Sequence, residues 1–320
     1  MAIARLWSTD EWIAQFGANR QSTVITIGNF DGVHLGHRAI LQRVLAEAHA
    51  TRKTSSVLTF YPHPAQVLRP AEAPSLLETI DQRLARLEEA GIDAVLVARF
   101  TRELSSLQPQ AFAEKFLAET MRASVVFVGA NFRFGHKQAG DVKMLTELGS
   151  RLGFTVQIVP PVLDATGEII SSSAIRASVR EGRMEDAARL LGRPFALEGQ
   201  VRTGTGIGSK LVVPTLNLAT EQQTLPKLGV YATETSVAGT SYQSVTNVGM
   251  RPTFDGSKLA IESHLFGFNE NVTSGPLAVQ FLTRIRDEKK FSGPEELKLQ
   301  ILHDIEDAKK YFHATKQTPE

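Results

Sequence analysis

Two histidines, His34 and His37, stand three residues apart at the start of a predicted helix, and side chains of this type at this spacing can bind phosphate. A β-branched run ends at Ile27, and segment 28–32 has the glycine-rich composition of a turn. Backbone N–H groups and the positive end of the helix dipole favour an anion at such a helix start. From these residues alone, phosphate binding, half of a metal site and a plain turn with surface histidines all stay open.

Aromatic and polar residues also follow two later strands of the pattern. Phe60 and His63 stand in T-F-Y-P-H-P, where the prolines end a strand and stiffen its exit. Stretch 129–136, G-A-N-F-R-F-G-H, follows another strand, and Asp141 comes shortly after it. The two phenylalanines suit stacking on a flat heteroaromatic ligand, and the arginine suits a phosphate. Ordinary loop packing explains the same residues.

A serine run opens the last helical pattern of the first half, in I-S-S-S-A-I-R from residue 170 to 176. Ser173 is predicted to be the N-cap, with Ile175 and Val179 on the buried face of the helix. Hydroxyls, helix N–H groups and Arg176 would together surround a pyrophosphate and stabilise charge as it develops. A helix cap without a ligand is the alternative.

These segments together resemble a known family. G-N-F-D-G-V-H-L-G-H is similar to the H-x-G-H signature of nucleotidylyl transferases, in the form found in bacterial FAD synthetases. I-S-S-S-x-I-R resembles the I-S-S-T-x-I-R element that accompanies it, and stretch 129–141 resembles the flavin-binding G-x-x-F-x-F-G…G-D. The resemblance implies catalytic roles on ATP for His34, His37, Ser172 and Arg176. It implies nucleotide and flavin binding by Gly28, Asn29, Phe30, Asp31, Gly32, Phe60, His63, Asn131, Phe132, Arg133, Phe134, Asp141 and Ser173.

The second half carries a glycine loop, a pair of oxygen ligands and a carboxylate. The loop G-T-G-I-G-S-K, with Gly204, Gly206, Gly208 and Lys210, can form an anion-binding nest of N–H groups. Thr215 and Asn217 in P-T-L-N offer hard oxygen atoms, which suit Mg²⁺ beside phosphate. Glu262, in an alternating strand, can accept a proton from an attacking hydroxyl if it reaches the site. Taken singly, a hairpin loop, a turn and an exposed strand residue explain them.

Together these segments resemble riboflavin kinase. The P-T-x-N motif, the N-x-G-x-R-P-T-F run at 247–254, the I-E-x-H-L strand and the stretch around Arg286 are similar to that family. The resemblance implies that Arg286 contributes to the substrate site. Ser209 stands where that family usually has arginine, and Val212 where it usually has glycine. We expect the first change to weaken phosphate binding unless Lys210 substitutes for the arginine.

Alternating strands and helices are predicted to position the first set of residues. Strand patterns at 24–27, 56–60, 94–100, 123–129 and 155–159 alternate with helical patterns at 80–90, 109–120 and 141–152. A brief helix capped near Ser8 precedes them, and helix 180–191 ends at Gly192. This order predicts an α/β doubly wound nucleotidylyltransferase domain, with its ligand beyond the carboxyl ends of the strands.

A mainly antiparallel β-barrel domain with a C-terminal helix is predicted to follow. Strand patterns of period two cover 196–201, 229–236, 243–248, 259–266 and 277–285. A last helix shows the stripe Leu297, Ile301, Ile305, Ala308 and Phe312. The composition changes near residues 185–195, so we expect domains at 1–188 and 189–320.

Composition bounds the partners. Lys and Arg total 35 against 34 acidic residues, which gives no electrostatic reason to expect nucleic acid or a membrane as partner. The sequence has no cysteine, which excludes disulfides, thiolate metal sites and cysteine nucleophiles. No stretch has the pattern of a signal peptide or the length of a bilayer-spanning run. We expect a cytoplasmic monomer or weak homo-oligomer.

The resemblance, which covers about 22–312, implies a bifunctional enzyme with ATP, riboflavin, FMN and FAD as substrates and products and Mg²⁺ as cofactor. An FAD synthetase whose barrel only binds flavin, with little or no kinase activity, is the first alternative. A flavin-binding regulator without turnover is the second. Adenylyltransferases for pantetheine or nicotinate nucleotides are disfavoured, because they would not need the attached barrel.

Overall fold

The computed structural model describes residues 3–17, 21–202, 213–253, 256–270 and 272–316, and the chain divides into two compact units, Met1–Ser172 and Ser173–Glu320. The strands of the first unit are β1 (Ala4–Leu6), β2 (Thr23–Ile27), β3 (Thr54–Tyr61), β4 (Ala94–Arg99), β5 (Ala123–Gly129) and β6 (Thr155–Val159). Its helices are α1 (Thr9–Phe16), α2 (Leu35–Thr51), α3 (Pro64–Leu68), α4 (Ile80–Glu89), α5 (Arg102–Ser106), α6 (Pro109–Phe112) and α7 (Val142–Leu152). Helix α6 continues into a π-helical segment, Ala113–Thr120, and short 3₁₀ turns lie at Pro70–Glu72 and His136–Gln138.

The six strands form one parallel sheet in the order β1-β4-β3-β2-β5-β6. Successive residues of β2 enter different hydrophobic clusters: Val24 packs with one, and Ile25 and Ile27 pack with the other. Helices therefore cover both faces of the sheet, which confirms the doubly wound prediction. The strand order reverses between β2 and β5, and ligands of such sheets bind at this point, beyond the carboxyl ends.

The N-terminal segment contains a strand that sequence reasoning missed. Helix α1 is confirmed, with the Ser8 hydroxyl accepting a hydrogen bond from the Glu11 N–H at 3.1 Å. Strand β1 adds a sixth strand beside β4 to the five predicted. The indole of Trp12 is 1% exposed and lies 4.8 Å from the Phe16 ring, whereas Trp7 is 43% exposed and meets Tyr61 edge-on. Helix α1 therefore packs into one of the hydrophobic clusters of the first unit through Trp12 and Phe16.

The second unit is a closed antiparallel barrel with three helices. Its strands are β7 (Phe195–Arg202), β8 (Leu216–Ala219), β9 (Gly229–Val237), β10 (Thr240–Thr253), β11 (Gly256–Leu265) and β12 (Pro276–Asp287), and they close in the order β10-β11-β8-β7-β12-β9. Its helices are α8 (Ser172–Glu181, which begins at the last residue of the first unit), α9 (Met184–Leu191) and α10 (Pro294–Lys316). The barrel and its last helix are as predicted, and β8 is an additional strand that the sequence pattern does not predict.

Side chains divide cleanly between the two faces of the barrel wall. A hydroxyl ladder of five buried side chains fills part of the interior, with mutual hydrogen bonds of 2.6–2.8 Å: Thr233, Thr235, Ser244, Thr246 and Ser263. On the outer face, Val230, Ala232 and Val245 pack against Ile305, Ala308 and Phe312 of α10. Of the apolar stripe predicted for α10, Ile301, Ile305, Ala308 and Phe312 belong to this cluster and meet the barrel wall.

Two local predictions around α8 are wrong. Helix α8 begins at Ser172, so Ser173 is its second helical residue and not its N-cap. The helix predicted to continue to Leu191 is interrupted after Glu181, because Gly182 takes a left-handed φ of 80° before α9 begins. Ile175 and Val179 are buried as expected. The compact units meet at Ser172, and the position of the functional boundary near residue 188 stays a prediction.

Among the residues that the structure describes, none of the helices is both long and apolar enough to cross a membrane.

Candidate active site

The turn after β2 has an unusual backbone. Gly32 has a φ of 85°, which a glycine adopts readily. Phe30 and Val33 also have positive φ values, 51° and 36°. A non-glycine residue in this region costs on the order of 1–3 kcal/mol and persists where its surroundings hold it. Phe30 is 2% exposed and Val33 is 1% exposed, so core packing holds both. The turn is therefore fixed in shape before any ligand binds.

Asp31 anchors this turn to two other segments. Its carboxylate accepts hydrogen bonds from the backbone N–H of Leu77 at 2.9 Å and of Glu78 at 3.3 Å. Its backbone carbonyl accepts one from the Ser172 hydroxyl at 2.9 Å. The structure thus brings Ser172 to the histidine turn, 141 residues away in sequence. The predicted ligand role of the Asp31 side chain stays a prediction, since its carboxylate serves the backbone here.

The two histidines meet at the start of α2. His34 is the N-cap, and its Nδ1 accepts a hydrogen bond from the His37 N–H at 3.3 Å. Because Nδ1 is an acceptor, a neutral His34 carries its proton on Nε2. The two rings stack at 3.7 Å with an angle of 18° between their planes. Burial holds the pKa of His37 well below its ordinary value of 6.5, and the charges of His34 and Arg83 lower it further. His37 is therefore a neutral hydrogen-bonding group near pH 7.

Gly36 lets these rings approach. A Cβ atom at this position would lie 3.1 Å from Cε1 and Nδ1 of His34 and 3.4 Å from the Ile170 carbonyl oxygen. The segment that leads into Ser172 therefore packs directly on the H-x-G-H turn. Two of the predicted motifs meet at the carboxyl end of β2, as the fold requires.

A cavity of about 460 Å³ lies beyond the ends of β2 to β5, within the size range of small-molecule sites. Its lining includes seven of the predicted ligand residues: Gly28, Asn29, Phe60, Asn131, Phe132, Arg133 and Phe134. Phe132 and Phe134 stack at 5.7 Å, nearly parallel, and Phe134 is also part of the core. Five phenylalanines line the walls beside several polar side chains, and aromatic rings of this kind suit a flat heteroaromatic ligand.

Polar side chains around this cavity are held by one another. The Asn29 amide meets Nε2 of His63 at 3.0 Å, and His63 in turn caps α3. Arg133, 54% exposed, lies 3.8 Å from the Asp141 carboxylate, which also caps α7 by accepting from the Met144 N–H. Arg133 and Lys137 are both cations of this wall, and the half-exposed Arg133 is accessible to an incoming phosphate. Asp141 acts here as a cap and an ion-pair partner.

Two predicted residues of the serine motif belong to the second unit. Arg176 donates from Nη2 to the Ser173 hydroxyl at 3.1 Å, so the two side chains contact each other one helical turn apart. Their roles on ATP stay predictions.

In the barrel, the predicted kinase residues lie side by side on one face. Glu262 of β11 is paired in register with Asn217 of β8 on one side and with Asn247 of β10 on the other. Paired residues point to the same face, and Asn247 is itself paired with Val230, which packs against α10. The carboxylate and the two amides therefore share the outer face of the wall. The sequence motif includes Asn247 but does not predict its register with Glu262, which the structure gives.

Thr215 stands directly before β8, two residues before Asn217. Among the described residues, neither side chain has a hydrogen-bond partner, which leaves a hydroxyl and an amide oxygen available for a hard cation such as Mg²⁺. His264 ties this segment to β11 by contacting the Pro214 carbonyl at 2.9 Å. No group of three histidine or acidic residues fit to hold a metal occurs in the described ranges. Thr215 and Asn217 offer two oxygen ligands of the kind that Mg²⁺ prefers.

Arg286 has a structural partner. Its guanidinium forms a bidentate ion pair with Asp304 of α10, both hydrogen bonds being 2.7 Å, and Asp304 is 4% exposed. It fixes α10 to β12, and its predicted contact with substrate stays a prediction. The predicted loop residues Gly204, Gly206, Gly208 and Lys210, and the departures Ser209 and Val212, lie outside the described residues.

One residue of the site was missed. Arg83 of α4 is 1% exposed and lies close enough to His37 to lower its pKa. Its neighbours in sequence gave a signal: Ile80, Leu84 and Leu87 form the buried face of α4, and Arg83 stands among them. A charged residue within an apolar stripe predicts a buried ion, which is rare enough in proteins to indicate a functional or structural role.

Known proteins resemble the chain over nearly its whole length. The family model for FAD synthetase matches residues 17–174, and the model for riboflavin kinase matches residues 191–312. The bifunctional riboflavin kinase/FMN adenylyltransferase of Haemophilus influenzae is 35% identical over 301 residues, 93% of this chain and 97% of the relative. The protein of the same name from Escherichia coli is 35% identical over 300 residues, 93% and 96% of the two chains.

A solved structure has the same architecture. A protein from Streptococcus pneumoniae, described as a macrolide-efflux protein, superposes with a TM-score of 0.81 at 28% identity, covering 90% of this chain and 94% of that one. The two family matches occur in the order of the two units, and the identity extends across both. The chain therefore belongs to the family of bifunctional riboflavin kinase/FMN adenylyltransferases.

Proposed function

We propose that the first unit adenylylates FMN with ATP, and that the second unit phosphorylates riboflavin with ATP, so that the chain converts riboflavin to FAD. The observation that carries the first assignment is the meeting of Ser172 with the Asp31 carbonyl, beside two stacked histidines at a helix start. The aromatic cavity at the same strand ends supports a flavin as the second substrate.

In the adenylyl transfer, an oxygen of the FMN phosphate attacks the α-phosphorus of ATP. A bond from that oxygen to phosphorus forms, and the bond to the bridging oxygen breaks, releasing pyrophosphate. The nucleophile is already anionic, so no strong general base is required. His37 is neutral near pH 7, which makes it a hydrogen-bond donor to the developing charge and not a cation. His34, Ser172 and Arg176 are proposed to act on the same charge.

In the kinase reaction, Glu262 takes the proton of the ribityl hydroxyl of riboflavin while the hydroxyl oxygen attacks the γ-phosphorus of ATP and ADP leaves. Support comes from the register that places Asn217 and Asn247 beside Glu262. Thr215 and Asn217 would hold Mg²⁺, which neutralises phosphate charge when bound. The rest of the catalytic effect comes from the orientation of the two substrates in the site.

The test is chromatography of flavins after the purified chain has been incubated with ATP, Mg²⁺ and either riboflavin or FMN. FMN and FAD from riboflavin support both assignments. FAD from FMN with riboflavin unchanged would mean that the barrel only binds flavin. No product in either tube, with protein folded and flavin bound, would favour a regulator without turnover.

A histidine substitution tests the division of labour. We expect His37→Ala to abolish FAD formation and to spare FMN formation from riboflavin. His49→Ala is the matched control, because His49 lies on the same helix and is exposed near its other end. Equal loss of both activities in folded His37→Ala protein would contradict the assignment. The cytoplasmic location and the oligomeric state stay predictions.

A further inference from the structure

Arg83 is a buried cation with few partners. Its side chain is 1% exposed, and burial lowers the pKa of its guanidinium, against the opposing effects of Asp31, Glu78 and Tyr61. An arginine has five N–H donors. Among the described residues, its guanidinium makes one hydrogen bond, from Nη1 to the Phe60 carbonyl at 3.4 Å, and its Nε has no partner. A buried ion with so few hydrogen bonds lowers the stability of the folded state, because its desolvation is poorly compensated.

The position of Arg83 distinguishes it from a stabilising surface ion. Its one hydrogen bond is to Phe60, whose side chain lines the aromatic cavity. Asp31, which anchors the histidine turn, accepts hydrogen bonds from the backbone of Leu77 and Glu78, directly before the helix α4 that carries Arg83. The charge of Arg83 also acts on Asp31 and on His37. In a buried setting such charges are weakly screened. One guanidinium therefore touches the wall of the cavity and acts on the turn beside it.

We propose that Arg83 is a positioning residue that couples the nucleotide turn to the flavin cavity, so that ATP bound at the turn strengthens FMN binding in the cavity. This inference rests on the proposed adenylyl transfer. A ligand that shifts Asp31 changes the attraction on Arg83, and Arg83 holds the carbonyl of the residue that lines the second ligand's cavity. Nucleotide and flavin thus bias the same side chain, which is the requirement for energetic coupling between two sites.

A neighbouring arginine offers a matched control. Arg86, one helical turn further along α4, pairs with Glu78 at 3.6 Å and with Glu89 at 2.9 Å. It shares the acidic neighbour Glu78 with Arg83, and both of its ion-pair partners lie in α4 or just before it. Arg86→Met removes a cation from the same helix and is expected to leave the coupling unchanged. Arg83→Met removes charge and donors, and Arg83→Lys keeps the charge but loses the planar fork.

The experiment is a grid of initial rates of FAD formation at varied FMN and ATP concentrations, which reports on the adenylyl-transfer site alone because only that site yields FAD. The quantity read is the factor by which saturating ATP lowers the KM for FMN. We expect about tenfold in the unsubstituted chain, within the usual range of coupling. In Arg83→Met the factor falls close to one, in Arg83→Lys it is intermediate, and in Arg86→Met it is unchanged.

The outcomes separate the possibilities. If saturating ATP still lowers the KM for FMN in folded Arg83→Met, and only kcat or Tm is reduced, the coupling is overturned and Arg83 has a structural role. An unsubstituted chain that makes FAD without any such factor also overturns it. If Arg83→Met does not fold, Arg83→Lys decides by the same criterion. An unsubstituted chain that makes no FAD contradicts the proposed function instead, so the two failures are distinct.

Discussion

Replacing Gly36 by alanine sets helix stability against the geometry of the histidines. Gly36 lies in the first turn of α2 and is not among the glycines with positive φ, so its backbone accepts alanine. Alanine is favoured over glycine inside a helix by up to about 1 kcal/mol. The added Cβ, however, would lie 3.1 Å from two ring atoms of His34. Such a contact is tight, and the ring must move by a few tenths of an ångström.

The His34 ring has little room to move. Its Nδ1 is bonded to the His37 N–H at 3.3 Å, and its face lies 3.7 Å from the His37 ring. A shift of His34 is therefore passed to His37. A misplacement of 1 Å can cost about a hundredfold in rate, so a few tenths of an ångström corresponds to roughly three- to tenfold. We expect FAD formation to fall by that factor while the Tm of the first unit stays level or rises.

The assay is kcat/KM for FAD formation from FMN and ATP, with FMN formation from riboflavin as the internal control in the same sample. Thermal unfolding checks that the variant is folded. An FAD activity within about twofold of the unsubstituted chain would show that the ring shift does not reach the reacting groups. An equal fall in both activities would show that the effect is not local to α2. Either result refutes the reasoning.

Three further outcomes follow from the structure. Glu262→Gln should lower FMN formation by about 10²–10⁴-fold, the usual worth of a general base, and leave FAD formation from FMN intact; a matched loss of both in the two-tube flavin assay would contradict this. Because the pKa of His37 is lowered in the fold and ordinary in the unfolded chain, the unfolded chain binds more protons below pH 6.5. The contribution of His37 to the free energy of unfolding is then fully present above that pH, and it falls below that pH by at most about 1.4 kcal/mol per pH unit. Urea unfolding at about pH 7.5 and 5.5 should therefore show a smaller loss of stability in His37→Gln than in the unsubstituted chain. Thr246→Val removes a hydroxyl bonded to Thr233 at 2.6 Å and to Ser263 at 2.8 Å, and the resulting unpaired groups should cost about 1–3 kcal/mol in calorimetry, whereas a neutral change would mean that the hydroxyl ladder adds no stability.

Sequence reasoning placed the first site well because its motifs coincide with element boundaries. The hydrophobic periodicity of the sequence changes at the turn after β2, at the loop after β5 and at the serine motif. Parallel strands bring their carboxyl ends together at one edge of the sheet. Strand β1 was missed because three residues with a central arginine carry no usable periodicity. Strand β8 was missed because four residues follow a proline closely, which reads as a turn.

Other features depend on distant partners and have no local signal. The positive φ of Phe30 and Val33 is held by packing, and no residue preference predicts it for an aromatic or β-branched side chain. Helix α8 starts at Ser172, whose hydroxyl bonds the Asp31 carbonyl, and a run of three successive serines does not reveal which of them takes this place. The role of Arg286 is set by Asp304 on another element. Arg83 is the exception, since its place in an apolar stripe was visible.

Both tryptophans of the sequence, Trp7 and Trp12, belong to the first unit. Their surroundings differ, because Trp12 is buried beside Phe16 whereas Trp7 is 43% exposed to solvent. Selective excitation of indole therefore yields light from the first unit alone, as a blue-shifted component that dissolved quenchers do not reach and a red-shifted one that they do. Thermal unfolding of the barrel alone does not change this tryptophan emission. The chain thus carries its own optical label for one of its two units.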